Sequence, residues 1–162
     1  QDSRIHHDAF TNIVKNLIEI GDPTFPKNYS SLSEKDQINI LSQVKGSIDM
    51  YILTAELSVK TMGSIFALKT IQKRNGERGA NRYIISNNQS ALNIMQTFAM
   101  LNLSGFKDNV PIDIIPLFET VEDLKNAEKV MRTVYKNKNY RTHLKQRNNK
   151  QTNMLGLSLI HI

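Results

Sequence analysis

The chain of 162 residues contains no cysteine and no tryptophan. Without cysteine it can form neither a disulfide scaffold nor a zinc site built from thiolates, and this composition fits a reducing compartment. No apolar run approaches the ~20 residues that a membrane-spanning helix needs, and we expect no signal peptide and no membrane partner. Together these absences predict a soluble, cytoplasmic protein.

The remaining composition is that of a globular protein. Hydrophobic residues make up 40% of the chain, which argues against disorder. Its length suffices for one domain but falls short of the ~250 residues of a closed eight-unit barrel. The net charge of +6 suggests anionic partners, either small phosphorylated ligands or nucleic acid. Because the chain begins with Gln1 rather than methionine, we expect that it was cut from a longer protein.

The first half of the chain is predicted to be mostly helical. Apolar residues recur with helical spacing over 7–20, after a cap at Ser33, and over 49–73. Gly46 ends the second of these segments, and the turn at 75–79 ends the third. This half therefore predicts helices packed on one another rather than a sheet.

The second half alternates between strand and helix patterns. Runs rich in β-branched residues predict strands over 82–86, 112–118 and 152–157. Between them we expect a helix capped by Asn88, a helix that follows Thr120, and a basic helix over 139–146. Strands separated by helices pair in parallel through right-handed crossovers, so this half is predicted to be α/β.

Glu119 occupies the most informative position in this half. It follows the predicted strand 112–118 and precedes Thr120, which with Asp123 forms an acidic version of the helix capping box. In α/β barrels and doubly wound sheets, active sites assemble where strands end and helices begin. The ordinary alternative is that Glu119 merely lies near a helix N-terminus, where negative charge is favoured by a few tenths to ~1 kcal/mol. Position alone leaves both interpretations open.

Five short motifs stand out along the chain: Tyr-Ile-Ile-Ser at 83–86, Ile-Pro-Leu-Phe-Glu-Thr at 115–120, Glu-Asp-Leu-Lys-Asn-Ala at 122–127, Tyr-Arg at 140–141 and Lys-Gln-Thr-Asn-Met-Leu-Gly at 150–156. In this order and at similar spacing, they closely resemble the central part of bacterial phosphoenolpyruvate carboxylase. The opening Gln-Asp-Ser, with His6, is similar to the segment just after that family's Leu-Asp-Ile-Arg strand. The resemblance covers nearly the whole chain and is strongest from Tyr83 onward.

The resemblance implies a fold and a reaction. The family carboxylates phosphoenolpyruvate with bicarbonate to give oxaloacetate and phosphate, feeding the tricarboxylic acid cycle. It uses Mg²⁺ or Mn²⁺ at the C-terminal rim of an α/β barrel surrounded by helices, and the intact enzyme is expected to be a homotetramer. We therefore expect an α/β fold that is a partial (β/α) barrel with additional helices. The carboxylate matching Glu119 is a metal ligand in the family, which makes Glu119 the candidate metal ligand here.

The chain also departs from the family pattern. We assign residues 1–156 to an incomplete central part of the barrel domain, and 157–162 to an atypical tail that we expect is not native family sequence. Ser158 still matches, but Leu159 stands where the second metal-binding Asp belongs, and leucine cannot ligate Mg²⁺. The family's catalytic His, its substrate loop and its substrate-binding Arg lie outside this chain. We therefore expect no catalytic residue within the chain, and no activity from the chain alone.

Other candidate residues have ordinary explanations. His6 and His7 are adjacent and point in different directions at a helix start, so we expect packing and surface roles rather than metal binding. Ser86 ends a strand, where it could touch a ligand or cap the next helix. His143 lies among charged residues and is expected to be solvated.

A second functional hypothesis concerns the basic stretch 132–150. It contains seven arginines and lysines with Tyr135 and Tyr140 among them, a pattern that can bind the backbone of a nucleic acid. Charge runs are more often solvated surfaces, and no nucleic-acid-binding motif accompanies this one. We therefore expect no nucleic-acid partner.

Overall fold

The computed structural model describes residues 2–106 and 109–156. The helices in these ranges are α1 (Ser3–Glu19), α2 (Glu34–Leu41), α3 (Glu56–Asn75), α4 (Ala91–Asn102), α5 (Val121–Lys136) and α6 (Lys138–Gln146). The strands are β1 (Arg82–Ile85), β2 (Asp113–Phe118) and β3 (Met154–Leu155). This order confirms a mixed α/β fold whose first half is mostly helical.

The helices of the first half pack through the apolar stripes that the sequence predicts. Phe10 and Ile13 of α1, Ile65 of α3 and Met95 of α4 are buried in one contiguous core. Helix α1 begins at Ser3, earlier than predicted, because the side chain of Asp2 accepts a hydrogen bond from the Arg4 N–H at 2.8 Å. No helix in the described ranges has the length and apolar character to cross a membrane.

The predicted helix over 49–73 begins later than expected. Asp49 caps only a single 3-10 turn, Met50–Ile52, by accepting a hydrogen bond from the Tyr51 N–H at 2.9 Å. The chain is then extended, and the N–H of Thr54 is bound by the side chain of Asn16 on α1 at 3.2 Å. This contact between distant segments outweighs local helical spacing, so α3 starts only at Glu56.

The predicted cap at Asn88 is also wrong. Ser90 caps α4, because its hydroxyl accepts a hydrogen bond from the Asn93 N–H while the Asn93 side chain accepts one from the Ser90 N–H at 3.1 Å. Asn88 is instead fully buried, and its N–H donates to the carbonyl of Leu117 on β2 at 3.4 Å. It therefore belongs to the edge of the sheet and not to the helix.

The three strands are parallel and lie in the order β1-β2-β3. The start of the chain extends this arrangement, because Asp2 forms a parallel bridge with Ser86, just beyond β1. Strand β3 is shorter than the predicted 152–157, and residue 157 lies outside the described residues. The side chain of Gln151 donates a hydrogen bond to the carbonyl of Ile114 at 2.8 Å. In this register, a longer β3 would pair with β2 here through its backbone, and the Gln151 side chain takes that place.

Both faces of the sheet carry apolar side chains, as parallel sheets usually do. One face, which includes Tyr83 and Phe118, packs into the helical core. The opposite face carries Ile84, Ile115 and Leu117 by strand alternation and register, and Ile84 is 40% exposed. The helices therefore cover one face more completely than the other.

Candidate functional site

The carboxyl edge of the sheet is the set of residues that directly follow the three strands. It consists of Ser86 and Asn87 after β1, Glu119 and Thr120 after β2, and Gly156 after β3. In parallel α/β folds this edge is where ligands bind, because the loops that leave parallel strands converge there. The predicted position of Glu119, between a strand and a helix, is confirmed.

A capping box fixes the backbone of Glu119. The Thr120 hydroxyl accepts a hydrogen bond from the Asp123 N–H at 3.0 Å, and the Asp123 carboxylate accepts one from the Thr120 N–H at 3.0 Å. The same carboxylate oxygen also accepts from the Glu119 N–H at 3.3 Å. Thr120 and Asp123 thus begin α5, as the sequence predicts, and the Glu119 side chain is not needed for that task.

The side chain of Glu119 turns toward β1. Its Oε2 accepts a hydrogen bond from the backbone N–H of Asn87 at 2.9 Å. Within residues 2–106 and 109–156, its Oε1 makes no hydrogen bond, and neither oxygen forms an ion pair. The side chain is half-buried. One carboxylate oxygen is therefore oriented by the neutral dipole of a backbone N–H, and no cationic side chain among the described residues pairs with the group.

Gly156 brings the end of β3 against the same side chain. A Cβ added at this glycine would lie 3.4 Å from Cγ of Glu119 and 3.2 Å from Cδ1 of Leu117. A larger residue here would require one of these neighbours to move. Sequence reasoning did not connect Gly156 or Asn87 with Glu119, because both contacts join strands that are far apart in the chain.

The Glu119 carboxylate fits a hard divalent cation as one member of a ligand set. Mg²⁺ commonly keeps several waters and uses only one or two protein carboxylates together with substrate oxygens. Among the described residues, no group of three or more His, Asp or Glu side chains is arranged to hold a metal ion. Glu119 would therefore act with water, substrate or residues from elsewhere. The predicted departure at Leu159 lies outside the described residues.

The two histidines at the start of α1 take packing and surface positions. His6 is fully buried, and its ring nitrogens lie 3.0 Å from the Tyr83 hydroxyl and 3.1 Å from Oγ1 of Thr97. Burial lowers the pKa of His6 to about 4, so its ring is neutral near pH 7. His7 is exposed and contacts Gln96 on α4.

Ser86 does not cap α4, and its carbonyl accepts a hydrogen bond from the Ser3 N–H at 3.1 Å.

The prediction that His143 is solvated is wrong. Its ring is buried against Phe98 and Tyr140, with ring centroids 5.3 and 5.6 Å away. Burial is the main cause that lowers its pKa to about 4, and the nearby Arg147 lowers it further. The charged neighbours Arg141 and Lys145 are exposed on α6, whereas His143 faces the core. The sequence around His143 therefore did not indicate its apolar contacts.

The basic stretch 132–150 does not present its two tyrosines together. Tyr140 is fully buried in the core, whereas Tyr135 is 37% exposed. Arg147 forms ion pairs with Asp113 and Glu77, each at 2.7 Å. Tyr140 is therefore not available for base stacking in this structure, and the expectation of no nucleic-acid partner stays a prediction.

Comparison with known proteins gives one consistent result. A family model described as phosphoenolpyruvate carboxylase matches residues 1–159. Proteins named phosphoenolpyruvate carboxylase from Nitrosomonas europaea and Corynebacterium diphtheriae are 29% and 28% identical over 97% and 82% of the chain, and the matches cover 18% and 15% of those proteins. A third, from Prochlorococcus marinus subsp. pastoris, is 30% identical over 83% of the chain and 14% of its own length. The chain thus spans less than a fifth of each of these relatives, and it belongs to the phosphoenolpyruvate carboxylase family.

Proposed function

We propose that this chain is a segment of a complete phosphoenolpyruvate carboxylase, and that Glu119 is one of the residues that hold its Mg²⁺ or Mn²⁺. The complete enzyme would carboxylate phosphoenolpyruvate with bicarbonate to give oxaloacetate and phosphate. The observation that carries the proposal is the Glu119 carboxylate at the carboxyl edge, in a chain of this family. Among the described residues, its side chain accepts one hydrogen bond, from a backbone N–H, and forms no ion pair.

Glu119, Asn87 and the capping box have distinct roles in this proposal. Glu119 offers carboxylate oxygen to the cation, Asn87 orients that carboxylate through its N–H, and the capping box of Thr120 and Asp123 fixes the backbone between them. The bound cation would supply positive charge against the negative charge that develops on substrate oxygens. The chain's own residues therefore bind and orient, and we assign no proton transfer to them.

The sheet supports the proposal that this segment is part of a (β/α) barrel. Three parallel strands lie in sequence order, and the start of the chain bridges to the end of β1 on the outer side. The face that carries Ile84, Ile115 and Leu117 presents these apolar side chains although the helical core packs on the other face, and it carries Arg82 and Asp113 only where the strands begin. By strand alternation Glu119 falls on the face of Ile115 and Leu117, which would be the interior of a closed barrel.

The complete enzyme is also proposed to be cytoplasmic, as the composition predicts, and homotetrameric, as the family resemblance implies. The chain alone is proposed to be inactive, because the family's catalytic His and substrate-binding residues have no match in it. The tail 157–162 stays a prediction and lies outside the described residues.

An oxaloacetate assay on the complete enzyme carrying this segment tests the role of Glu119. We expect Glu119→Gln to lower metal affinity, and with it activity at limiting Mg²⁺, by at least about 100-fold, since losing an outer-shell partner alone typically costs about 10- to 100-fold. The matched control is Glu122→Gln, three residues along, where an exposed carboxylate lies beside Lys125 on the surface of α5. Unchanged turnover and Mg²⁺ dependence in Glu119→Gln would overturn the proposal.

A further inference from the structure

The N–H that orients Glu119 belongs to a residue with an uncommon backbone conformation. Asn87 has a φ of 53°, in the left-handed region that few residues other than glycine adopt and that asparagine tolerates best. This conformation directs its N–H toward Oε2 of Glu119, at 2.9 Å. Something must hold the turn in place, because asparagine has more stable conformations available.

Ser3 makes the contacts that hold this turn. Its hydroxyl donates to the carbonyl of Asn87 at 2.5 Å, and its N–H donates to the carbonyl of Ser86 at 3.1 Å. From the other side, the N–H of Asn88 donates to the carbonyl of Leu117 at 3.4 Å. The peptide groups on both sides of Asn87 are thus fixed, and two of these bonds come from Ser3.

The hydroxyl of Ser3 is not required to begin α1. Asp2 caps that helix by accepting a hydrogen bond from the Arg4 N–H. The Ser3 side chain is buried and bonds to a residue 84 positions away instead of to its own helix. Its contact is therefore with the carboxyl edge rather than with local secondary structure.

We propose that Ser3 is a positioning residue for Glu119, acting through the backbone of Asn87. The Ser3 hydroxyl holds the Asn87 carbonyl, the rigid turn directs the Asn87 N–H, and that N–H orients the carboxylate. The inference rests on the proposed metal-binding role of Glu119. It adds to that role a residue at the other end of the chain, which would tune metal affinity without touching the metal.

Equilibrium Mn²⁺ binding by the complete enzyme, followed by the electron paramagnetic resonance signal of free Mn²⁺, tests this without turnover. We expect Ser3→Ala to weaken Mn²⁺ binding by about 10-fold, the lower end of the range for outer-shell partners. The matched control is Ser58→Ala, since Ser58 is equally buried and also donates to a backbone carbonyl, that of Ala9 at 3.0 Å. Ser58→Ala should leave Mn²⁺ affinity unchanged.

The same titration on Glu119→Gln separates the two proposals. If Glu119→Gln loses affinity while Ser3→Ala binds like the wild type, the positioning role of Ser3 is wrong and the metal role of Glu119 stands. If Glu119→Gln binds normally, both fall. Equal weakening by Ser3→Ala and Ser58→Ala would show a general structural effect and would also overturn the inference. Should Ser3→Ala fail to fold, Ser3→Cys keeps a weak donor of similar size and is expected to show a smaller loss in the same direction.

Discussion

The two ends of β2 carry carboxylates in opposite environments. At the amino end, Asp113 accepts a hydrogen bond from Arg147 Nε at 2.7 Å, and the same guanidinium pairs with Glu77 at 2.7 Å. At the carboxyl end, Glu119 accepts a backbone N–H and, among the described residues, pairs with no cation. One strand therefore presents a neutralised carboxylate at one edge of the sheet and an oriented but unneutralised one at the other.

We attribute a stabilising role to the carboxylate at the amino end of β2 and the proposed chemical role to the one at its carboxyl end. The Arg147 side chain is only 11% exposed and that of Asp113 28%, so this ion pair is partly shielded from water, whereas the Glu77 side chain is 51% exposed. Together the two pairs tie the end of α6 to the start of β2 and to the turn after α3. At the carboxyl edge, a carboxylate that accepts only a neutral dipole among the described residues contributes less to folding, and it is the group that we propose binds the cation. The same division holds generally in α/β barrels, where the amino face supports the fold and the carboxyl face binds ligands.

Acid should destabilise the fold by favouring protonation of two buried histidines, one near each end of β2. His143 precedes Arg147 by one helical turn, and His6 follows Ser3 by nearly one turn. Burial is the main cause that lowers the pKa of both from 6.5 to about 4. Between these values the unfolded chain binds more protons, so the free energy of unfolding should fall as the pH drops from 6.5 toward 4, by up to about 3 kcal/mol for each histidine.

Urea unfolding at pH 7, 6 and 5 checks this expectation. Each histidine contributes at most about 1.4 kcal/mol per pH unit, so His6→Gln or His143→Gln should remove about half of the pH dependence. Equal pH dependence in the wild type and both variants would contradict the burial of these rings in neutral form.

Removing the cation at the amino edge should cost stability. We expect Arg147→Met to lower the free energy of unfolding by about 2 kcal/mol, between the small value of an exposed pair and the 3–5 kcal/mol of a fully buried one. The control is Arg132→Met, because Arg132 pairs with Glu128 on the exposed face of α5 and its loss should cost less than about 0.5 kcal/mol. Equal losses in the two variants would show that the ion pairs of Arg147, at the amino end of β2, stabilise the fold no more than an exposed pair does.

The sequence predicts where Glu119 lies, but it does not predict which residues contact Asp113 and Glu119. The apolar run of β2 and the capping box at Thr120 are local patterns, so the position of Glu119 was predictable. The bond from Asn87 to Glu119 spans 32 residues of the chain, and the bond from Arg147 to Asp113 spans 34. The bond from Ser3 to Asn87 spans 84. No local pattern reports such contacts, and the same reason explains the wrong predictions for His143 and for the start of α3.

Replacing each of the two carboxylates by its amide should show that Asp113 contributes more to folding than Glu119. Asp113→Asn keeps an acceptor oxygen but loses the charge that faces Arg147, and we expect it to lower the free energy of unfolding by about 1 kcal/mol. Glu119→Gln keeps an acceptor for the Asn87 N–H and loses no ion pair among the described residues, so its change should stay below about 0.5 kcal/mol. Urea unfolding of both variants at pH 7 measures the difference. A larger loss for Glu119→Gln than for Asp113→Asn would reverse our assignment of the two edges.

The smallest expected effect concerns the glycine beside Glu119. An added Cβ at Gly156 would lie 3.4 Å from Glu119 Cγ and 3.2 Å from Leu117 Cδ1, so a neighbour must shift by a few tenths of an ångström. Leu117 is flexible at that end and should absorb most of the change, because the capping box and the Asn87 N–H hold Glu119. We therefore expect Gly156→Ala to weaken Mn²⁺ binding by the complete enzyme only about twofold to threefold, well below the typical cost of losing an outer-shell partner. A loss as large as that of Ser3→Ala would mean that the carboxylate is held more by packing against β3 than by the turn at Asn87.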